Sequence, residues 1–167
     1  MRKMNSIPKL VLGYGNNNAD VMFIGEFLSG NNETNSFSFS SSQGQLLEKA
    51  FCGLGIEKEN IYVTNFFKTV QYANLSDEIV NYNMNCLRNE VITIKPKIIV
   101  LMGNIVSSNI LGNENENIKS KFFSKKDILY MPTYSILDIS KDENKKIDFW
   151  LDLKSVINKC KEYNFKI

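Results

Sequence analysis

Short, uninterrupted apolar runs alternate with longer segments in which apolar residues recur every three or four positions. The first run, Val21 to Ile24, passes straight into Gly25 and Glu26. A buried parallel strand reads this way, because both of its faces are covered and no polar alternation remains. Ile61-Tyr62-Val63-Thr64-Asn65 predicts a second strand. Ile98 to Met102, followed by Gly103, predicts a third at the sheet centre, and Ile128 to Met131, broken by Pro132, a fourth. Helical spacing runs from Gln43 through Leu46, Leu47, Ala50, Phe51 and Leu54, with Gly53 and Gly55 marking its end. Ser76-Asp77-Glu78 starts a second helix whose face is Ile79, Val80, Leu87, Val91 and Ile94, closed by Pro96. Asn104 caps a short helix to Leu111 and Gly112, and a last helix covers about Asn144 to Tyr163 with Ile147, Trp150, Leu151, Lys154 and Ile157 in helical order.

Strands alternating with helices imply an α/β fold: a three-layer α/β/α sandwich around a central four-stranded parallel sheet, as one domain over residues 1–167. The four strand ends then gather Glu26, Asn65, Gly103 and Ser135 along one edge. Ligands bind at that edge in open α/β sheets. Glu26 is either a solvated carboxylate at an ordinary turn or one at a site mouth. Residues 29–42 form a long polar stretch with Phe37 and Phe39 as its large apolar groups. A loop of that length is functional or mobile, and its aromatics either tether it or stack on a flat ligand.

Composition narrows the chemistry. The 43% hydrophobic and 23% charged residues are those of a globular protein. No apolar run approaches the roughly 20 residues that span a bilayer, and no signal-peptide core is visible, so a cytoplasmic protein without a membrane partner is expected. Histidine is absent, which excludes Ser–His and Cys–His nucleophilic catalysis and removes the commonest metal ligand. Cys52, Cys86 and Cys160 have no CxxC spacing, so neither zinc nor a disulfide framework is expected. The net charge is +2, with Lys119, Lys121, Lys125 and Lys126 clustered and Lys141, Lys145 and Lys146 following. Such runs are solvated faces or patches for a polyanion.

The order of motifs resembles the uracil-DNA glycosylase superfamily, and within it the iron–sulfur-containing branch (family four). Val11-Leu12-Gly13-Tyr14-Gly15 and Ala19 to Glu26 are similar to its GxGxxxAdxMfvGEAPG. Ser36 to Leu47 lines up with GRPFVGRAGQLL, Ile61 to Lys68 with VYITNVVK, and Lys95 to Gly103 with RPKVIVALG. The resemblance covers roughly residues 10 to 155 and implies excision of uracil or a related base from DNA as a base-excision repair glycosylase. It implies Glu26 as the carboxylate acting on water or the sugar cation, Phe39 as the aromatic stacked on the extruded base, and Asn65 as the amide reading its edge. Gly25 and Phe27 fall beside them in the base pocket, while Lys68, Gly103, Asn104, Lys119 and Lys121 fall where DNA is contacted. Extruding a base costs a few kcal/mol, and stacking on one aromatic returns about 1–3 kcal/mol.

Departures matter as much. Where the branch has Tyr-His-Pro, this chain has Tyr134-Ser135-Ile136, leaving Ser135 to supply the donor. The Pro-Gly of GEAPG is Leu28-Ser29. Two cluster cysteines of the branch fall upstream of the matched stretch, the third matches Thr69, and the fourth matches about Asn83, with Cys86 three residues later. No cluster, metal or other cofactor is therefore expected, with Tyr72, Leu75 and Tyr82 bracing that region by packing. The expected partner is DNA with a flipped base, bound by a monomer. The alternative is an inactive glycosylase-fold module that binds nucleic acid or a free nucleobase or nucleotide.

Overall fold

The computed structural model describes residues 12–26, 42–68, 76–112 and 118–167. Its elements are β1 (Tyr14–Gly15), β2 (Val21–Gly25), α1 (Ser42–Leu54), β3 (Ile61–Asn65), α2 (Asp77–Ile94), β4 (Ile98–Met102), α3 (Asn104–Leu111), β5 (Phe123–Lys125), β6 (Ile128–Thr133), α4 (Ile136–Lys141) and α5 (Glu143–Tyr163). One sheet runs in the order β1-β3-β2-β4-β6-β5. Its four central strands are parallel, as expected, with Gly25 opposite Asn65, Ile24 opposite Leu101 and Met102 opposite Thr133. The flanking strands β1 and β5 are antiparallel additions that the sequence reading lacked. Two and three residues are too few to show a period.

Every residue of β2, β3 and β4 is buried, which explains their continuous apolar runs. Leu47, Phe51, Ile139, Leu153 and Val156 from α1, α4 and α5 cover one face, against Phe23, Val63 and Val100. Leu87, Ile94 and Val106 from α2 and α3 cover the other, against Met22, Ile24 and Leu101. From β2 the chain goes to β3 on one side, then crosses to β4 on the other. The strand order therefore reverses at the crevice between the C-terminal ends of β2 and β4, where Glu26 and Gly103 lie.

Helix α2 is bounded as its sequence predicts: Ser76 Oγ accepts from the Ile79 N–H at 3.4 Å, and Lys95 turns left-handed (φ 55°) before Pro96. Three readings need correction. Strand β6 continues through Pro132. The Pro132 carbonyl faces outward to the Ser120 N–H, and β5 has already ended opposite Tyr130, so the missing proline N–H deprives no strand partner. The buried stripe of α5 is Phe149, Asp152, Leu153, Val156 and Cys160, whereas Ile147 and Leu151 are exposed. Asn104 is the first residue of α3, not its cap; Gly103 holds the cap position and makes no side-chain cap.

Candidate functional site

Glu26 follows the last residue of β2 and leans to the α3 side. Its Oε1 accepts a hydrogen bond from the Ile105 N–H at 2.8 Å, an unpaired donor in the first turn of α3. Gly103 makes this possible. A Cβ there would stand 2.1 Å from Glu26 Oε1 and 2.2 Å from its carboxyl carbon. Burial raises the Glu26 pKa above its ordinary value, the Ile105 bond lowers it, Asp138 raises it and Lys119 lowers it. The result is a half-buried carboxylate held in place by the Ile105 N–H, with its pKa above the ordinary carboxylate value.

Asn65 ends β3 on the opposite face of the sheet. It is 3% exposed, and neither its amide nitrogen nor its amide oxygen has a hydrogen-bond partner. Leaving such an amide unpaired costs about 1–3 kcal/mol. Gly25, its neighbour on β2, makes room for it: a Cβ on Gly25 would lie 2.6 Å from the Asn65 amide oxygen. Gly25 thus shapes the space around the amide by having no side chain.

Beyond β6 the arrangement departs from expectation. The Ser135 hydroxyl caps α4: it donates to Asp138 Oδ2 at 2.8 Å and accepts from the Asp138 N–H at 3.1 Å. Its single proton is committed to that carboxylate, so Ser135 offers no donor to a ligand. Asp138, which the sequence reading missed, is brought towards Glu26 instead. The signal was the Ser-x-x-acid spacing of a capping box. Lys145 Nζ lies 3.7 Å from Asp138 Oδ1, and Lys145 and Lys119 lie 5.6 and 5.1 Å from the Tyr134 ring centre. Lys119 Nζ donates to Asn104 Oδ1 at 2.5 Å. One edge of the sheet thus brings together Glu26, Asn65, Gly103, Asn104, Lys119, Ser135 and Asp138.

Lys68 is not available to a phosphate. It is 1% exposed, ion-paired to Glu90, and donates to Thr64 Oγ1 at 2.5 Å. Lys121 is exposed at the surface. Phe27 and Phe39 lie outside the described residues, as do Leu28, Ser29, Thr69, Tyr72 and Leu75. Tyr82 is exposed and braces nothing by burial. Its neighbour Asn83 is fully buried, and its amide oxygen accepts from the Lys68 N–H at 2.7 Å. The donor set does not fit an iron–sulfur cluster: position 83 carries this engaged amide, and the three cysteines sit on α1, α2 and α5. Cys160 is buried in the core, with its thiol pushed up to about 12. Among the described residues no group of His, Cys, Asp and Glu could hold a metal ion, and no helix is long and apolar enough to cross a membrane.

The raised Glu26 pKa has a definite sign. Below the unfolded-state value of about 4.5 both states hold the proton. As pH rises through the interval up to the raised folded value, the unfolded state ionises first and stability falls. Asp138→Asn removes a repelling charge, so Glu26 should titrate at lower pH and this interval should narrow. Carboxylate NMR titration and urea melts at several pH values measure both effects; an unchanged or higher Glu26 midpoint contradicts the assignment.

Comparison with known proteins gives the same direction. The family model of the uracil DNA glycosylase superfamily matches residues 12–154. Type-4 uracil-DNA glycosylase of Saccharolobus solfataricus is 29% identical over 146 residues, spanning 79% of this chain and 65% of that protein. The type-4 enzyme of Sulfurisphaera tokodaii is 28% identical, over 79% of this chain and 64% of its own length. That of Archaeoglobus fulgidus is 27% identical over 112 residues, 66% of this chain and 54% of its own. The chain therefore spans less than two thirds of these relatives.

Proposed function

Since the chain belongs to the uracil DNA glycosylase superfamily, we propose that it hydrolyses the N-glycosidic bond of uracil or a related deaminated base in DNA, in base-excision repair. The observation that carries this reading is Asn65: a buried amide with both polar atoms unpaired, on the strand beside Glu26. An amide presents a donor and an acceptor together, which matches the imide edge of uracil. A protein bears the cost of an orphaned amide when a ligand completes it.

In this mechanism the base is extruded from the stack and its edge meets Asn65, with Phe39 stacked on its ring. Glu26, held by the Ile105 N–H, orients water, takes its proton and stabilises the cation-like sugar. Its raised pKa keeps it basic enough for that task. Exposed Lys121 meets the phosphates, so duplex binding should weaken with salt.

The test compares abasic-site formation in uracil-containing single- and double-stranded oligonucleotides by the parent, Glu26→Ala and Asn65→Ala. Asn65→Ala should slow excision by at least about 10²-fold yet leave stability unchanged or raise it by about 1 kcal/mol, because no hydrogen bond is lost. A destabilised Asn65→Ala protein with full activity overturns the reading. One observation favours a second: the Ser135 proton is spent on Asp138. On that reading the site binds nucleic acid or a free nucleobase without turnover. Salt-sensitive oligonucleotide binding, or thermal stabilisation by uracil, with no cleavage above the Glu26→Ala level, would support it.

A further inference from the structure

Cleaving a glycosidic bond by this route leaves a charge that has to be met. The bond between C1′ and the base nitrogen breaks, and its electron pair goes to the base and spreads onto the adjacent ring carbonyl oxygen. The water oxygen bonds to C1′, and its proton goes to Glu26. Beside the partly buried Glu26 the departing anion needs a positioned donor, preferably a cation.

The described donors at the strand ends can be taken in turn. Histidine is absent from the chain. The Ser135 proton points at Asp138, and Lys145 is paired with the same carboxylate. Lys68 is sealed against Glu90 in the interior. Glu26 and Asp138 are acceptors and repel an anion. Lys119 differs from these. Its ammonium bonds a neutral amide oxygen, that of Asn104, and among the described residues it has no carboxylate at ion-pair distance. Two of its three N–H groups therefore remain to be offered. It acts on the charge of Glu26 and lies 5.1 Å from the Tyr134 ring centre. Its backbone is pinned as well: Ile118 is buried, and left-handed Ser120 (φ 63°) donates its N–H to the Pro132 carbonyl at 3.0 Å. A partly buried lysine on a pinned backbone, its ammonium held by the Asn104 amide, suits a reacting centre better than a phosphate contact, for which the more exposed Lys121 is the natural form.

We propose that Lys119 is a catalytic residue that donates to the carbonyl oxygen of the departing base and so stabilises its negative charge. This rests on the glycosylase reading of the same pocket. The experiment measures single-turnover excision, at saturating protein, of uracil and of 5-fluorouracil, whose anion is the more stable leaving group. The proteins are the parent, Lys119→Met, Lys119→Gln, Lys119→Arg and Lys121→Met, each checked by thermal melting. Removing Lys119 should slow uracil excision by about 10²-fold and 5-fluorouracil excision distinctly less. Lys119→Arg should recover part of the loss, while affinity for a duplex with a tetrahydrofuran abasic analogue stays unchanged. Lys121→Met should weaken binding of both substrates equally. Equal losses on both bases with weaker duplex binding would make Lys119 a phosphate contact, and no loss would leave it without a role; either overturns the proposal alone. A parent protein that excises neither base overturns the glycosylase reading, and this proposal with it.

Discussion

On the proposed glycosylase function, Gly103→Ala should leave the fold standing and reduce excision to the level of Glu26→Ala, a fall of about 10²–10⁴-fold. Two effects combine at this residue. Its backbone (φ 122°, ψ 162°) lies in a region open essentially to glycine, so any side chain there costs about 1–3 kcal/mol. The added methyl would also overlap the Glu26 carboxyl group, at 2.1 Å from Oε1. Glu26 is the flexible partner, so it should swing off the Ile105 N–H while α3 remains. Gly112→Ala separates the two effects. Gly112 is also left-handed (φ 70°), but nothing lies within 4 Å of its absent Cβ. That variant should lose about 1–2 kcal/mol of stability and keep its activity. Urea melts and single-turnover assays on both proteins decide the matter. A Gly103→Ala enzyme with full activity would show that the Glu26 position is not what the reaction depends on.

The second large effect is on stability. Glu90, on α2, accepts hydrogen bonds from the Gly13 N–H, the Tyr62 hydroxyl and the Thr64 hydroxyl, each at 3.1 Å, and pairs with Lys68. Burial and this carboxylate push the Tyr62 phenol well above its ordinary value. Glu90→Ala leaves the Lys68 ammonium buried without a counter-charge and frees three further donors. The expected loss is about 3–5 kcal/mol, or about 10 °C in Tm for a domain of this size. Lys68→Met should cost clearly less, because Glu90 keeps three donors and some exposure to water. Thermal and urea melts of the two variants check the asymmetry, and equal losses would contradict it.

The parallel strands were legible from sequence, because a strand covered on both faces must be apolar throughout, and Val21 to Ile24 and Ile98 to Met102 are. Edge strands β1 and β5 were not, since short edge pairing depends on where a neighbour lies. The buried stripe of α5 was misjudged because apolar residues occur on more than one side of that helix, and only its packing against β6 and α1 selects Phe149, Leu153 and Val156.

For the site, the sequence by itself determined which polar or small residues stand at the strand ends: Glu26 after an apolar run, Asn65 at the end of β3 and Gly103 after β4. Chain direction and strand parallelism bring those ends to one edge. Tertiary structure decided what each group is free to do. Lys68 reads as a surface lysine until α2 places Glu90 against it, 22 positions away in the chain. Ser135 reads as a free hydroxyl until α4 turns and claims its proton for Asp138. Lys119 reads as one of a lysine cluster until Asn104 and Tyr134 single it out. Residue type sets the chemistry a side chain can perform, but availability depends on burial and on partners far away in the chain, and only the folded arrangement supplies those.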